Sequence, residues 1–117
     1  MNTMGQQRSA FALKKVSEIR PDLKEKFEPF SAGMPAMILQ NGLGQSMAFL
    51  IAKGTDTHTT MFEIIQEWLD NAKCISSAGG KDFIGKLSEV EQSKYLLAQK
   101  ETLKLLEWVK RYANAGI

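Results

Sequence analysis

Cysteine and histidine occur once each, as Cys74 and His58, in a chain of 117 residues. A single cysteine excludes a disulfide framework and every zinc module built on several cysteines. A single histidine excludes a His-Glu-x-x-His protease and histidine-rich metal sites. No apolar run is fit to span lipid. The longest mainly apolar stretch, Met34 to Ala52, is interrupted by Gln40, Asn41, Gly42, Gly44, Gln45 and Ser46. The N-terminus lacks the basic-then-apolar order of a signal peptide. These absences lead to the expectation of a soluble, cytoplasmic domain with no membrane partner.

What is present is ordinary globular material, 44% hydrophobic and 24% charged, which argues against disorder. The length fits one domain, residues 1–117, burying roughly 65% of the surface its unfolded chain exposes. The net charge of +2 is unevenly spread. Residues 1–28 carry six basic and four acidic side chains, and residues 29–60 one of each. Residues 61–93 carry three basic and six acidic, and residues 94–117 five basic and two acidic. Cationic charge therefore gathers at both ends. That pattern permits an anionic partner, and it is also the pattern of a solvated bundle surface.

Nearly all of the chain carries a helical period. Residues 6–20 read as a helix with Ala12, Val16 and Ile19 on one stripe, stopped by Pro21. Asp22 to Phe30 reads as a short second helix, ended by Pro29 and the Ser31-Ala32-Gly33 turn. A third helix starts near Pro35 and runs to Lys53, with Gly54 as its stop and Ile38, Leu39, Leu43, Met47, Leu50 and Ile51 at helical spacing. Its interior Gly42 and Gly44 cost about 1 kcal/mol each relative to alanine. Either the helix breaks at Asn41-Gly42, or the glycines admit another backbone at close range. An apolar period that keeps its phase across them favours the second. Thr60 and Glu63 form a capping-box pattern ahead of Met61, Ile64, Ile65, Trp68 and Leu69, the cleanest amphipathic set in the chain. Residues 71–81 form a loop, and Asp82 to Leu87 one short turn. Ser88 and Glu91 form a second box, opening a helix to about Asn114, ~39 Å long at 1.5 Å per residue. Its stripe is Tyr95, Ala98, Thr102, Leu105, Leu106, Val109, Tyr112 and Ala113. No alternating strand pattern occurs. The expected fold is all-α, a compact single-domain bundle of five to six helices.

Chemistry-bearing groups are few. A catalytic pairing of His58 with Cys74 needs the fold to unite them and a third group to orient the histidine. A cysteine beside Ile75 is more simply a small hydrophobe. Glu63, Glu67 and Asp70 repeat at helical spacing, but without a Glu-x-x-His motif they read as a solvated face. Gly79-Gly80-Lys81 lacks the upstream glycine and strand of a phosphate loop. Trp68 and Trp108 read as helix-packing residues, and the methionines as adaptable core filling. No enzymatic activity, metal or cofactor is expected.

The block from Met34-Pro35 through Gln40-Asn41-Gly42-Leu43-Gly44-Gln45 to Met47-Ala48-Phe49-Leu50 and Lys53 resembles a family signature. The family is the small helical subunit of the type III-B CRISPR effector, the fifth protein of the Cmr complex. The opening Ala10 to Val16, with its scattered lysines, and the closing Tyr95…Glu101…Leu105-Leu106-Glu107-Trp108-Val109-Lys110-Arg111-Tyr112-Ala113 are similar too. Residues 55–93 carry no recognisable family motif. The resemblance implies a non-catalytic subunit in antiviral defence, stacked in several copies along the filament that holds the guide RNA. It implies contacts with the backbone and large subunits and with guide and target RNA, while cleavage belongs to the backbone subunit. Asn41, Gly42, Leu43, Gly44 and Phe49 would then be a structural motif.

An RNA backbone is gripped by lysine and arginine, with base identity left to guide pairing. The candidates are Arg8, Lys14 and Lys15 on the first helix, and Lys100, Lys104, Lys110 and Arg111 on the last. Lys53 joins them because it closes the family-like block. A solvated face remains the rival reading of each stretch. The alternative function is a stand-alone helical interaction module or DNA-binding adaptor. For that, Gln40, Asn41 and Gln45 offer base-reading side chains, on a helix expected to be too apolar to leave the core.

Overall fold

The computed structural model describes residues 2–117, in which five helices enclose one hydrophobic cluster. Helix α1 spans Met4–Ser17. It begins earlier than its apolar stripe because Thr3 and Gln6 form a capping box: the Thr3 hydroxyl accepts from the Gln6 amide, and the Gln6 side chain accepts from the Thr3 amide. It also ends before Pro21, which starts the next helix as its first residue, where the missing N–H is harmless.

Helix α2, Pro21–Lys53, replaces the two helices expected over this region. Pro29 and Pro35 lie inside it, and the Ser31-Ala32-Gly33 turn does not form. Phe27, Ser31, Met34 and Ile38 are buried at i, i+4, i+7 and i+11, so tertiary burial of one face overrides the two proline penalties. The Ser31 hydroxyl is satisfied within the helix, donating to the Glu28 carbonyl at 2.8 Å.

The break falls instead at Gly42, with φ 82° and ψ 162°. Before it the buried stripe is Phe27, Ser31, Met34 and Ile38; after it, Leu43, Ser46, Met47 and Leu50. At 100° per residue the stripe turns by roughly 140° across the break. The apolar phase therefore changes, contrary to the uninterrupted reading. Leu39 is in register only with the second half and is left 69% exposed. Gly54, at φ 63°, closes the helix as expected.

Helix α3, Asp56–Asn71, starts a turn earlier than the Thr60–Glu63 pattern suggests, because Thr55 caps it by accepting from the His58 amide. Its stripe Met61, Ile64, Ile65, Trp68 and Leu69 is buried in full. Helix α4, Lys81–Glu89, is longer than the expected turn and inserts Phe83 and Leu87, with Phe83 edge-on to Phe62. Ser88 belongs to α4, where its hydroxyl bonds the Ile84 carbonyl, so the Ser88–Glu91 box does not form. Helix α5, Gln92–Asn114, begins after the extended Val90 and packs against α1, α2 and α3.

Candidate nucleic-acid interface

Helix α5 buries Ala98, Glu101, Thr102, Leu105, Leu106 and Val109. The opposite side carries Lys100, Lys104 and Arg111, within about 40° of one another on the helical wheel. All three are exposed, and among the described residues none joins an ion pair. Lys110 is half-buried and lies 3.3 Å from Glu107, one turn back, so its charge is partly answered.

The first-helix candidates do not extend this stripe. Arg8 is turned inward at the edge of the core: its side chain is 12% exposed and engages both carboxylate oxygens of Glu101, with Nη2 donating to Oε1 at 2.9 Å. The indole N–H of Trp68 donates to the same carboxylate at 3.0 Å. Burial alone would push the Glu101 carboxyl up. The hydrogen bonds from Arg8 and Trp68, with the charges of Arg8 and Lys104, outweigh burial and hold it below the ordinary carboxylate value. The bond from Glu101 in turn raises the Arg8 guanidinium. Arg8 thus joins α1 to α5 and is not free to meet a phosphate. Lys15 reaches α3, 2.6 Å from Glu67, and lies over the Phe11 ring. Lys14 is exposed and joins no ion pair among the described residues. Lys53 is exposed at the far end of α2, its ammonium 5.7 Å from the Phe49 ring centre.

Glu101 stands in the family-like ending and Trp68 in the α3 stripe, but nothing near either in the sequence marks them as partners. The available signal was positional: Glu101 falls on the Ala98–Leu105 stripe, and a lone charge on a core face needs a buried counter-charge.

The Asn41–Gly44 block is a joint. After Gly42 the helix restarts, and its first amides have no partner within the helix. The Leu43 amide donates to Gln99 Oε1 at 2.9 Å, and the Gly44 amide to the Tyr95 hydroxyl at 2.8 Å. A Cβ on Gly42 would stand 3.3 Å from that hydroxyl, and one on Gly44 3.2 Å from it. The close neighbour is therefore a pair of α5 side chains, where another backbone was expected. Asn41 is exposed, Leu43 fully buried, and Phe49 half-buried against His58. Gln40, Asn41 and Gln45 are also exposed, where an apolar helix was expected to keep them in the core. They straddle the break, so they do not lie on one straight recognition helix.

His58 sits between Phe30 and Phe49, with Nδ1 2.6 Å from the Thr55 hydroxyl. Burial, then the charge of Glu101, pushes the Cys74 thiol up, away from the nucleophilic thiolate. Among the described residues no three His, Cys, Asp or Glu side chains are grouped to hold a metal ion, and no helix is long and apolar enough to cross a membrane.

The profile of a family described as CRISPR-associated protein (Cas_Cmr5) matches residues 4–116. The chain belongs to that family. A curated relative, the CRISPR system Cmr subunit Cmr5 of Thermus thermophilus, is 26% identical over 118 residues, covering 100% of this chain and 98% of its own. The crystal structure of a Cmr5 family protein from Thermus thermophilus superposes with a TM-score of 0.79 at 26% identity, over 98% of this chain and 97% of the other. The Cas_Cmr5 match runs from the first residue of α1 to just beyond α5, and so takes in residues 55–93, where the sequence shows no family motif. In this chain the cationic stripe lies on α5, the longest unbroken helix among the described residues.

Proposed function

We propose that the chain is a non-catalytic subunit of a type III-B CRISPR (Cmr) effector, stacking in several copies beside the guide filament and touching the guide–target RNA backbone. Its partners are the backbone and large subunits, further copies of itself, and the two RNA strands. The observation that carries the RNA contact is the outward stripe of Lys100, Lys104 and Arg111, exposed and without ion-pair partners among the described residues. Lys100 and Lys104, one turn apart, repel by a few tenths of a kcal/mol, a cost that a polyanion reverses. A backbone grip of this kind is indifferent to base sequence, as an RNA-guided complex requires.

The test is neutralisation of Lys53, Lys100, Lys104 and Arg111 together in the reconstituted complex. The fold should persist, target RNA capture should weaken alike for every guide, and the salt dependence should become shallower. Unchanged capture across a salt titration would make the stripe a solvated face. Recovery of the chain with duplex DNA and no guide RNA would favour the DNA-binding adaptor.

A further inference from the structure

The two tryptophans have opposite fates. Trp68 is 4% exposed, and its N–H is taken by Glu101. Trp108 is 36% exposed and borders the cationic stripe, with Lys104 one turn before it and Arg111 one turn after. Its ring centre lies 5.9 Å from that of Tyr112, with the planes at 35°. Tyr112 is itself pinned to α1, its hydroxyl 2.6 Å from that of Ser9. The α5 core is filled by Leu105, Leu106 and Val109 without the indole. A large aromatic is thus held in a backed position at the surface, beside two exposed cations, Lys104 and Arg111.

We propose that Trp108 is a stacking platform for an unpaired nucleobase of the strand that the cationic stripe holds. The proposal rests on the reading of α5 as the RNA-facing helix, and adds to it a preference for unpaired over paired strand. Lysine and arginine grip phosphates whether or not the bases are paired. An indole face takes only a base whose own face is open, and it takes any base, because each has a π surface. The Tyr112 backing restricts the indole beforehand, so little freedom is lost on stacking. Around Trp108 the exposed Lys104 and Arg111 outnumber Glu107, which is itself paired with Lys110, so the net charge favours a polyanion over an apolar protein partner.

With only two tryptophans in the chain, fluorotryptophan labelling gives two resolvable resonances. Titration of the full chain with single-stranded oligoadenylate at low salt should move the Trp108 resonance and leave that of Trp68 in place. An abasic oligonucleotide of equal length and charge should move neither. Trp108→Ala should weaken oligoadenylate binding roughly five- to a hundredfold, the span of one base–aromatic stack, with abasic binding unchanged. Trp108→Phe should keep part of the affinity. Equal binding of base-bearing and abasic strands would overturn the stacking role while leaving the cationic stripe intact. Binding that ignores neutralisation of Lys100, Lys104 and Arg111 would remove the stripe itself. Loss of the Trp108→Ala subunit from the complex before RNA is added would make Trp108 a protein contact and overturn the proposal.

Discussion

Glu101 lies between Ala98 and Leu105 on the buried side of α5, where a lone carboxylate would be untenable. Arg8 and Trp68 make it tenable, and the three residues tie α1, α3 and α5 together. Removing one partner leaves a buried charge unanswered, so Glu101→Ala should cost about 3–5 kcal/mol, read from urea melts. The pair also sets a pH dependence. The folded-state pKa of Glu101 lies below its unfolded value, so the stabilisation is complete above the unfolded value, about 4.3. It is lost as the pH falls from there through the folded value. Wild type should therefore lose its advantage over Glu101→Gln as melts are taken from pH 7 toward pH 3. A constant difference across that range would show that ionisation of Glu101 does not stabilise the fold.

At the scale of the helix, α2 carries the most informative departures from local preference. Pro29 is exposed within a continuous helix, so it costs a backbone bond and contributes little packing. Pro29→Ala should raise stability by about 1–3 kcal/mol, visible as a higher melting temperature. A lower one would mean that proline is needed there as a terminator. Gly42 has the opposite character. Its φ of 82° disfavours any side chain, and a Cβ there would stand a tight 3.3 Å from the Tyr95 hydroxyl, which would have to shift. Gly42→Leu should lose about 1–3 kcal/mol by overpacking, with strain adding to the loss. Faster amide exchange at Leu43 and Gly44 in that variant would locate the damage at the joint. A melting temperature equal to wild type would refute close packing at Gly42.

For the whole molecule, the net charge of +2 leaves one copy little counterion release to draw on. The isolated chain should bind single-stranded and duplex RNA weakly at physiological salt. Affinity should emerge when several copies are held side by side, because tethering multiplies weak contacts through effective concentration. Submicromolar binding by the lone subunit, measured by anisotropy, would contradict a division of the grip among copies.

The all-helical class, the stripes of α3 and α5, the Gly54 stop and the family block are all legible in the sequence. Each depends on local spacing: a 3.6-residue period and a glycine at a helix end keep their meaning wherever the chain goes. What the tertiary structure decided is where local preference yields. Prolines became helix interior because Phe27, Met34 and Ile38 bury a face across them. Thr60 falls inside α3, which Thr55 caps instead, and Ser88 falls inside α4, leaving α5 to start at Glu91 without a side-chain cap. The candidate cations show the same division most sharply. Arg8 and Lys104 are equivalent in a sequence, each a cation on an amphipathic helix. Glu101 engages Arg8 through both oxygens and acts on Lys104 only by its charge, so the first becomes a largely buried link between helices and the second stays at the surface. That pairing spans 93 residues of chain, and no local period encodes it.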